Sequence, residues 1–338
     1  MLRGLLRGLF GTLVLSAAVH AQELRYGAPI PAVHRTLFDK GLDYLVDAQQ
    51  KGGSWGNTGV TGVCVMALIA SGEDPNFGKY REAVQAGVRS MIRQQDPSTG
   101  FIRSGMYEHG FAMLALADCY GAVDERLLWG DEKPVRSIAK TLELAVRCAV
   151  TSQEQNPFNA WQYSPDGSTA DTSATGAVMM GLLGARNAGI PVPDKTIDLV
   201  VDYYTSMTLK NGLVNYSSFG GMGASYARSS ICVLVLSIAK RKELAAYKAT
   251  AEYLTQTWDA MPSNHPAYTL YYRSQALFQA NYALWRRWTE ENTVMLAELQ
   301  LEDGSIPIQG ASSGLPFQTG MALLSAGLNY CLLPIYER

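Results

Sequence analysis

The sequence predicts an all-α protein, an (α/α)6 toroid in which six inner and six outer helices form two concentric layers. Three observations carry that prediction. Apolar residues follow helical periodicity along the whole chain, with no convincing strand alternation. Three segments share one template: Thr61-Gly-Val-Cys-Val-Met-Ala-Leu68, His109-Gly-Phe-Ala-Met-Leu-Ala-Leu116 and Thr175-Gly-Ala-Val-Met-Met-Gly-Leu182. Each sets a polar residue and a glycine ahead of a helix apolar on all sides, and such a helix must be buried on all sides. Finally, an amphipathic segment with a charged face precedes every apolar one. An open solenoid needs polar caps on its terminal repeats, but the last apolar run, 316–333, is as apolar as the others. A closed ring removes that conflict.

In chain order, RTLFDKGLDYLVDAQ leads into the first template, YREAVQAGVRSMIRQQ into the second and KPVRSIAKTLELAVRCAV into the third. DKTIDLVVDYYTSM precedes a looser copy, YARSSICVLVLSIAK (226–240). KELAAYKATAEYLTQTW precedes YTLYYRSQALFQA (268–280), and WRRWTEENTVMLAELQ precedes PFQTGMALLSAGLNYCLL (316–333). The connections are rich in Gly, Pro, Asp and Asn, the residues turns require. Two are long. Cys119 to Lys133 reads as a surface excursion, and Leu301 to Pro316 as a loop able to fold over one mouth of the ring.

The N-terminus has the pattern of a cleavable signal peptide over residues 1–21. Two arginines in MLRGLLRG precede the apolar LFGTLVLSAAV, and Val19-His20-Ala21 offers a small-residue cleavage site before Gln22. The apolar run is too short to span a bilayer. Residues 22–338 are then expected to form one domain, secreted or periplasmic, with no stable membrane span. A net charge of −2 without a basic stripe argues against nucleic acid as a partner. Five cysteines (Cys64, Cys119, Cys148, Cys232 and Cys331) lie inside apolar runs, and an odd count cannot be fully paired. They read as buried thiols acting as small hydrophobes.

Lys40-Gly-Leu-Asp-Tyr44 followed by Gln50-Lys-Gly-Gly53-Ser-Trp55 resembles the QW repeat of squalene and terpene cyclases. Gln95 with Gly100-Phe101, and Gln300 with Gly304-Ser-Ile306, resemble degraded copies. Together with YEHG (107–110), the segment 171–176, Tyr271-Tyr272, SQALFQ (274–279) and WRRW (285–288), the chain resembles the terpenoid cyclase and protein prenyltransferase superfamily. Within it, the likeness is to small bacterial proteins with prenyltransferase and squalene-oxidase repeats. The resemblance implies the toroid fold but fixes no activity.

The chemistry of that superfamily does not transfer residue by residue. Cyclase protonation uses a D-x-D-D-T motif, and the matching Ser168-Thr-Ala-Asp171-Thr172 keeps one carboxylate. A prenyltransferase zinc site needs Asp-x-Cys, but Asp171-Thr-Ser173 offers serine where zinc prefers a thiolate. No metal and no cofactor are expected. Hydrolysis of a polysaccharide needs two facing carboxylates. Glu108 and Asp171 at the heads of inner helices are the candidates, with Asp166 in the adjoining loop. His109 replaces the template threonine and is expected to face the interior near one mouth, usable as acid or base. The alternative is a histidine satisfied by a loop carbonyl. Asp171 also fits an N-cap.

Tyr107, Tyr226, Arg228, Tyr271, Tyr272 and Arg273 are candidates for the cavity lining, with Tyr163 a further sugar-stacking surface. The functional expectation is therefore an exported toroid that binds an apolar or carbohydrate ligand, or a protein partner, in its central cavity. The alternative is an enzyme acting on a lipid, an isoprenoid or a polysaccharide, as hydrolase or lyase, through Glu108, His109 and Asp171.

Overall fold

A computed structural model describes residues 30–217, 225–259, 265–311, 313–328 and 333. The signal-peptide expectation at 1–21 and Cys331 lie outside them. The outer layer consists of α1 (Ala32–Asp47), α3 (Arg81–Arg93), α6 (Ile138–Gln155), α8 (Asp194–Met207), α10 (Ala245–Gln256) and α12 (Tyr282–Leu299). The inner layer consists of α2 (Thr58–Ile69), α4 (Met106–Cys119), α7 (Thr172–Asn187), α9 (Tyr226–Ile238), α11 (Pro266–Ala280) and α13 (Leu315–Gly327). One short helix, α5 (Glu125–Leu128), interrupts the long connection after Cys119. That connection is less of a surface excursion than its sequence suggests, because Val123, Leu128 and Trp129 are buried.

Each inner helix packs on the next, in the order α2, α4, α7, α9, α11, α13, and α13 returns to α2. The ring is closed, as the all-apolar inner helices require. Every inner helix follows its outer partner in the same sense, so all six inner N-termini gather at one mouth. Among the described residues no helix is long and apolar enough to cross a membrane. Cys64, Cys119, Cys148 and Cys232 are buried free thiols.

The ring is stapled by a recurring set of side-chain bonds. Gln49 Nε2 donates to the Gly53 carbonyl in its own loop and to the Ala83 carbonyl of the next outer helix. Gln95 does the same to Gly100 and Thr141, Gln153 to Asn159 and Thr196, and Gln300 to Gly304 and Leu37. The tie in the first repeat is therefore Gln49 and not Gln50, whose side chain instead accepts from Ser54 Oγ. The copy at Gln153, with Trp161 donating to the Ala149 carbonyl as Trp55 does to Leu45, has no counterpart in the sequence reading.

Two residues beyond each of the four tied loop positions, and at Val214 in a loop without such a tie, a backbone N–H is caught by an inner-helix side chain. Trp55 donates to Thr61, Ile102 to His109, Trp161 to Thr175, Val214 to Ser229 and Ile306 to Thr319. Unpaired buried N–H groups cost free energy, so this one position per repeat is constrained to an acceptor.

Candidate functional site

The expected central cavity is filled by aromatic side chains at the level of Tyr107 and Phe111. Inner helices α4 and α11 stand opposite each other in the ring, yet Tyr107 meets Tyr268 with centroids 5.7 Å apart. Phe111 meets Tyr271 at 6.1 Å and Tyr272 at 6.5 Å. Tyr271 and Tyr272 are fully buried core residues of this plug. Chemistry on a ligand is thereby confined to the mouth above it.

At that mouth Asp171 is the N-cap of α7, and Oδ1 accepts from the Ala174 N–H at 2.8 Å. The residue is 2 % exposed. Oδ2 accepts from the Tyr163 hydroxyl at 3.2 Å, and that hydroxyl lies 3.2 Å from the hydroxyl of Tyr216. Both phenols are held above their ordinary pKa, first by burial. For Tyr163 the hydrogen bond with Tyr216 and the Asp171 charge add to the effect. Arg228, 9 % exposed on α9, lays its guanidinium over the Tyr216 ring at 5.1 Å and donates from Nε to the Val214 carbonyl. Burial lowers its pKa, and the Asp171 carboxylate opposes that effect. The cap, two phenols and a guanidinium thus form one polar cluster.

The next residue, Thr172, anchors this cluster to the loop that carries Tyr216. Its N–H and hydroxyl donate to the Tyr216 carbonyl, the hydroxyl also reaches the Asn215 carbonyl, and Tyr204 donates to the Thr172 carbonyl. Tyr216 escaped the sequence reading because it sits in an irregular turn, NGLVNYS, with no period to place it.

Glu108 enters from the neighbouring helix. It lies in the first turn of α4, partly exposed, and no hydrogen bond reaches its carboxylate among the described residues. Its position is fixed by two glycines: a Cβ at Gly59 would lie 2.8 Å from Glu108 Cγ, and one at Gly105 would lie 2.5 Å from Oε2. That same point at Gly105 is 3.4 Å from the Tyr163 carbonyl, which accepts the Met106 N–H that opens α4. Tyr163, 46 % exposed, is therefore bracketed by Glu108 at its backbone and Asp171 at its hydroxyl. Asp166 is exposed in the same loop and accepts from Ser164 Oγ.

His109 does not join them. It is 0 % exposed, its Nδ1 accepts from the Ile102 N–H, and its Nε2 lies 3.1 Å from the Ala145 carbonyl of outer helix α6. Accepting at Nδ1 fixes the proton on Nε2. The ring points outward, against the expectation that it faces the interior, because the stitch position in its repeat needs an acceptor. Burial pushes its pKa down to about 4, with the Ala145 bond opposing. Tyr226 and Arg273 stack at 4.1 Å beside α10, where Tyr226 donates to the Leu254 carbonyl. Among the described residues no cluster of metal-ligating side chains occurs.

No family model matches the chain, and no curated relative matches it either. Solved structures do. The GH76A alpha-1,6-mannanase from Salegentibacter sp. HEL1_6 overlays with a TM-score of 0.64 at 8 % identity, covering 87 % of this chain and 99 % of that one. The glycoside hydrolase family 76 mannosidase Bt3792 from Bacteroides thetaiotaomicron VPI-5482 gives 0.62 at 10 %, covering 87 % and 98 %. The type II terpene cyclase MstE from Scytonema reaches only 0.36 at 13 %, covering 90 % and 100 %. The likeness establishes the α/α toroid.

Proposed function

We propose that the protein is a polysaccharide-directed enzyme, a glycoside hydrolase whose substrate enters at the mouth formed by the inner-helix N-termini. The observation that carries this reading is the bracket around Tyr163, which sets two carboxylates at the heads of adjacent inner helices. Glycoside hydrolysis uses such a pair on opposite sides of the scissile bond. Glu108, unpartnered and partly exposed, is the proton-transferring group. Asp171, held by a backbone N–H and a phenol, is the fixed acceptor that orients water or stabilises the sugar's developing positive charge. Tyr163 and Tyr216 offer aromatic faces and hydroxyls to a sugar ring, and Arg228 orients the Tyr216 wall. The toroids of the mannanase and the mannosidase support the choice of substrate class over an isoprenoid. His109 has no part in the proposed chemistry, since both ring nitrogens serve the backbone. Export through residues 1–21 fits an extracellular polysaccharide, and a mature mass beginning at Gln22 tests it.

The test is release of reducing ends from a panel of α- and β-linked polysaccharides. Glu108→Gln and Asp171→Asn should each lower kcat by ~10²-fold or more while leaving the folded fraction unchanged. Absence of turnover on the whole panel, or turnover indifferent to both changes, sinks the hydrolase reading.

A second reading is ligand binding without hydrolysis. It is favoured by one observation, that both Asp171 oxygens are already engaged. Calorimetric binding of an oligosaccharide without turnover, weakened by Tyr163→Ala and by Arg228→Met, distinguishes it.

A further inference from the structure

Inner helix α11 carries an arginine outside the site described above. Arg273 is 1 % exposed, and its guanidinium carbon lies 4.1 Å from the centre of the Tyr226 ring. Its Nε and Nη2 find no hydrogen-bond acceptor among the described residues. Those two nitrogens are neighbours on one edge of the guanidinium, the edge whose parallel N–H groups grip an anion bidentately. The described ion pairs all join other residues at the surface. Burial lowers the Arg273 pKa; the Tyr226 phenol opposes that first, by charge and by hydrogen bonding, and after it the charge of Asp259, exposed beyond the end of α10.

Three physical facts narrow what this edge requires. Arginine cannot shed its proton, so burial leaves a full positive charge in place. A buried charge without a partner is among the most costly arrangements a core can hold. The Tyr226 ring offsets part of that charge through its face, but a ring face beside the guanidinium plane does not accept N–H groups along the edge. Arg228 shows the contrast, since its Nε is spent on the Val214 carbonyl. What remains is a pair of parallel donors carrying net charge on a side chain only 1 % exposed.

We propose that the Nε/Nη2 edge of Arg273, flanked by Tyr226, binds a small monovalent anion, a halide or a compact carboxylate. The anion neutralises the charge and satisfies both donors at once. It also braces the first turn of α9, the helix that carries Arg228 to the mouth. This site is independent of the hydrolase reading and survives its failure.

The test is thermal unfolding of the full protein at constant ionic strength, with sodium isethionate replaced stepwise by chloride, bromide or formate. Isethionate is too large for a closed site. A saturable rise in Tm of a few degrees is expected with at least one small anion. Chloride or bromide alone identifies a halide site, and formate alone a carboxylate site. Arg273→Met should abolish the rise, whereas Arg228→Met should keep it. Bromide anomalous scattering from crystals of the unmutated protein should place a peak beside Nε and Nη2, which serves if Arg273→Met does not fold. A Tm indifferent to all three anions overturns the proposal, as does a rise that persists in Arg273→Met or a bromide peak elsewhere only. A Tm indifferent to the anions but lowered by Asp259→Asn assigns the neutralising role to Asp259 and also overturns it.

Discussion

His109 and Asp171 stand at the heads of neighbouring inner helices, and each is the kind of residue that chemistry uses. They turn opposite ways. His109 points out of the ring and is consumed by two backbone groups, the Ile102 N–H and the Ala145 carbonyl. Asp171 spends one oxygen on its helix and turns the other to a phenol at the mouth. The difference lies in what each loop demands. In the His109 repeat, Ile102 takes the place held by Trp55 and Trp161 in theirs, and the stitch to its N–H falls to histidine in place of threonine. In the Asp171 repeat the stitch is made by Thr175, which leaves the aspartate to cap the helix with one oxygen and meet the Tyr163 hydroxyl with the other.

The sharpest way to break this comparison is to remove the histidine. His109→Ala strands the buried Ile102 N–H, worth about 1–3 kcal/mol, takes a second bond from the Ala145 carbonyl, and leaves a cavity. The expected loss is about 4 kcal/mol by denaturant unfolding. His109→Thr restores a hydroxyl acceptor of the kind four other repeats use, threonine in three and serine in one, and should recover about half of it. Neither change should alter turnover per folded molecule.

The ring closure offers a second large effect. Gly304 has φ near +87°, and a Cβ there would fall 2.1 Å from the Lys40 carbonyl. Gly304→Ala should cost about 3 kcal/mol, combining a strained backbone with the displaced first helix. Thermal unfolding measures it. An effect below 1 kcal/mol would mean that the α1–α12 seam yields freely.

Acid sharpens the contrast next. The His109 pKa in the fold is about 4, against 6.5 in an unfolded chain, so the unfolded state binds the proton first. Its contribution to stability is complete above pH 6.5, declines as pH falls from 6.5 towards 4, and is exhausted below. The span is roughly 3 kcal/mol. His34, buried between Thr293 and the Ala326 carbonyl with its pKa also lowered by burial, adds in the same direction. Unfolding midpoints between pH 4 and 7 should fall towards acid in the unmutated protein, and less steeply in His109→Thr.

The smallest stability effect should come from the residue with the largest proposed functional one. Asn is as good an N-cap as Asp, so Asp171→Asn should shift stability by less than about 1 kcal/mol, and Asp171→Ala by ~1–2 kcal/mol. A large loss in the asparagine variant would show that Asp171 serves the fold more than the mouth.

The ring of six pairs was legible because helices apolar on every side admit one environment. Side-chain direction was not. Nothing in His109-Gly-Phe-Ala tells that the imidazole faces outward, since that follows from an N–H seven residues earlier. The third staple was hidden by drift in spacing. Gln49 and Gln300 reach four residues ahead, Gln95 five and Gln153 six, and there Asn159 replaces glycine at positive φ. The mouth was half legible. Asp171, Glu108, Tyr163 and Arg228 stood out by type, but their assembly depends on irregular segments such as the one carrying Tyr216, where no period constrains the chain.

The bond from Gln300 to Leu37 spans 263 residues. It makes the fold wait for its own end. Until the last helix pair has emerged, the first presents apolar flanks with no neighbour, and every intermediate is an open arc with two sticky edges. Such long-range closure slows folding and exposes intermediates to association. Once shut, the arc has no terminal repeat from which to fray, so unfolding must begin by breaking the seam.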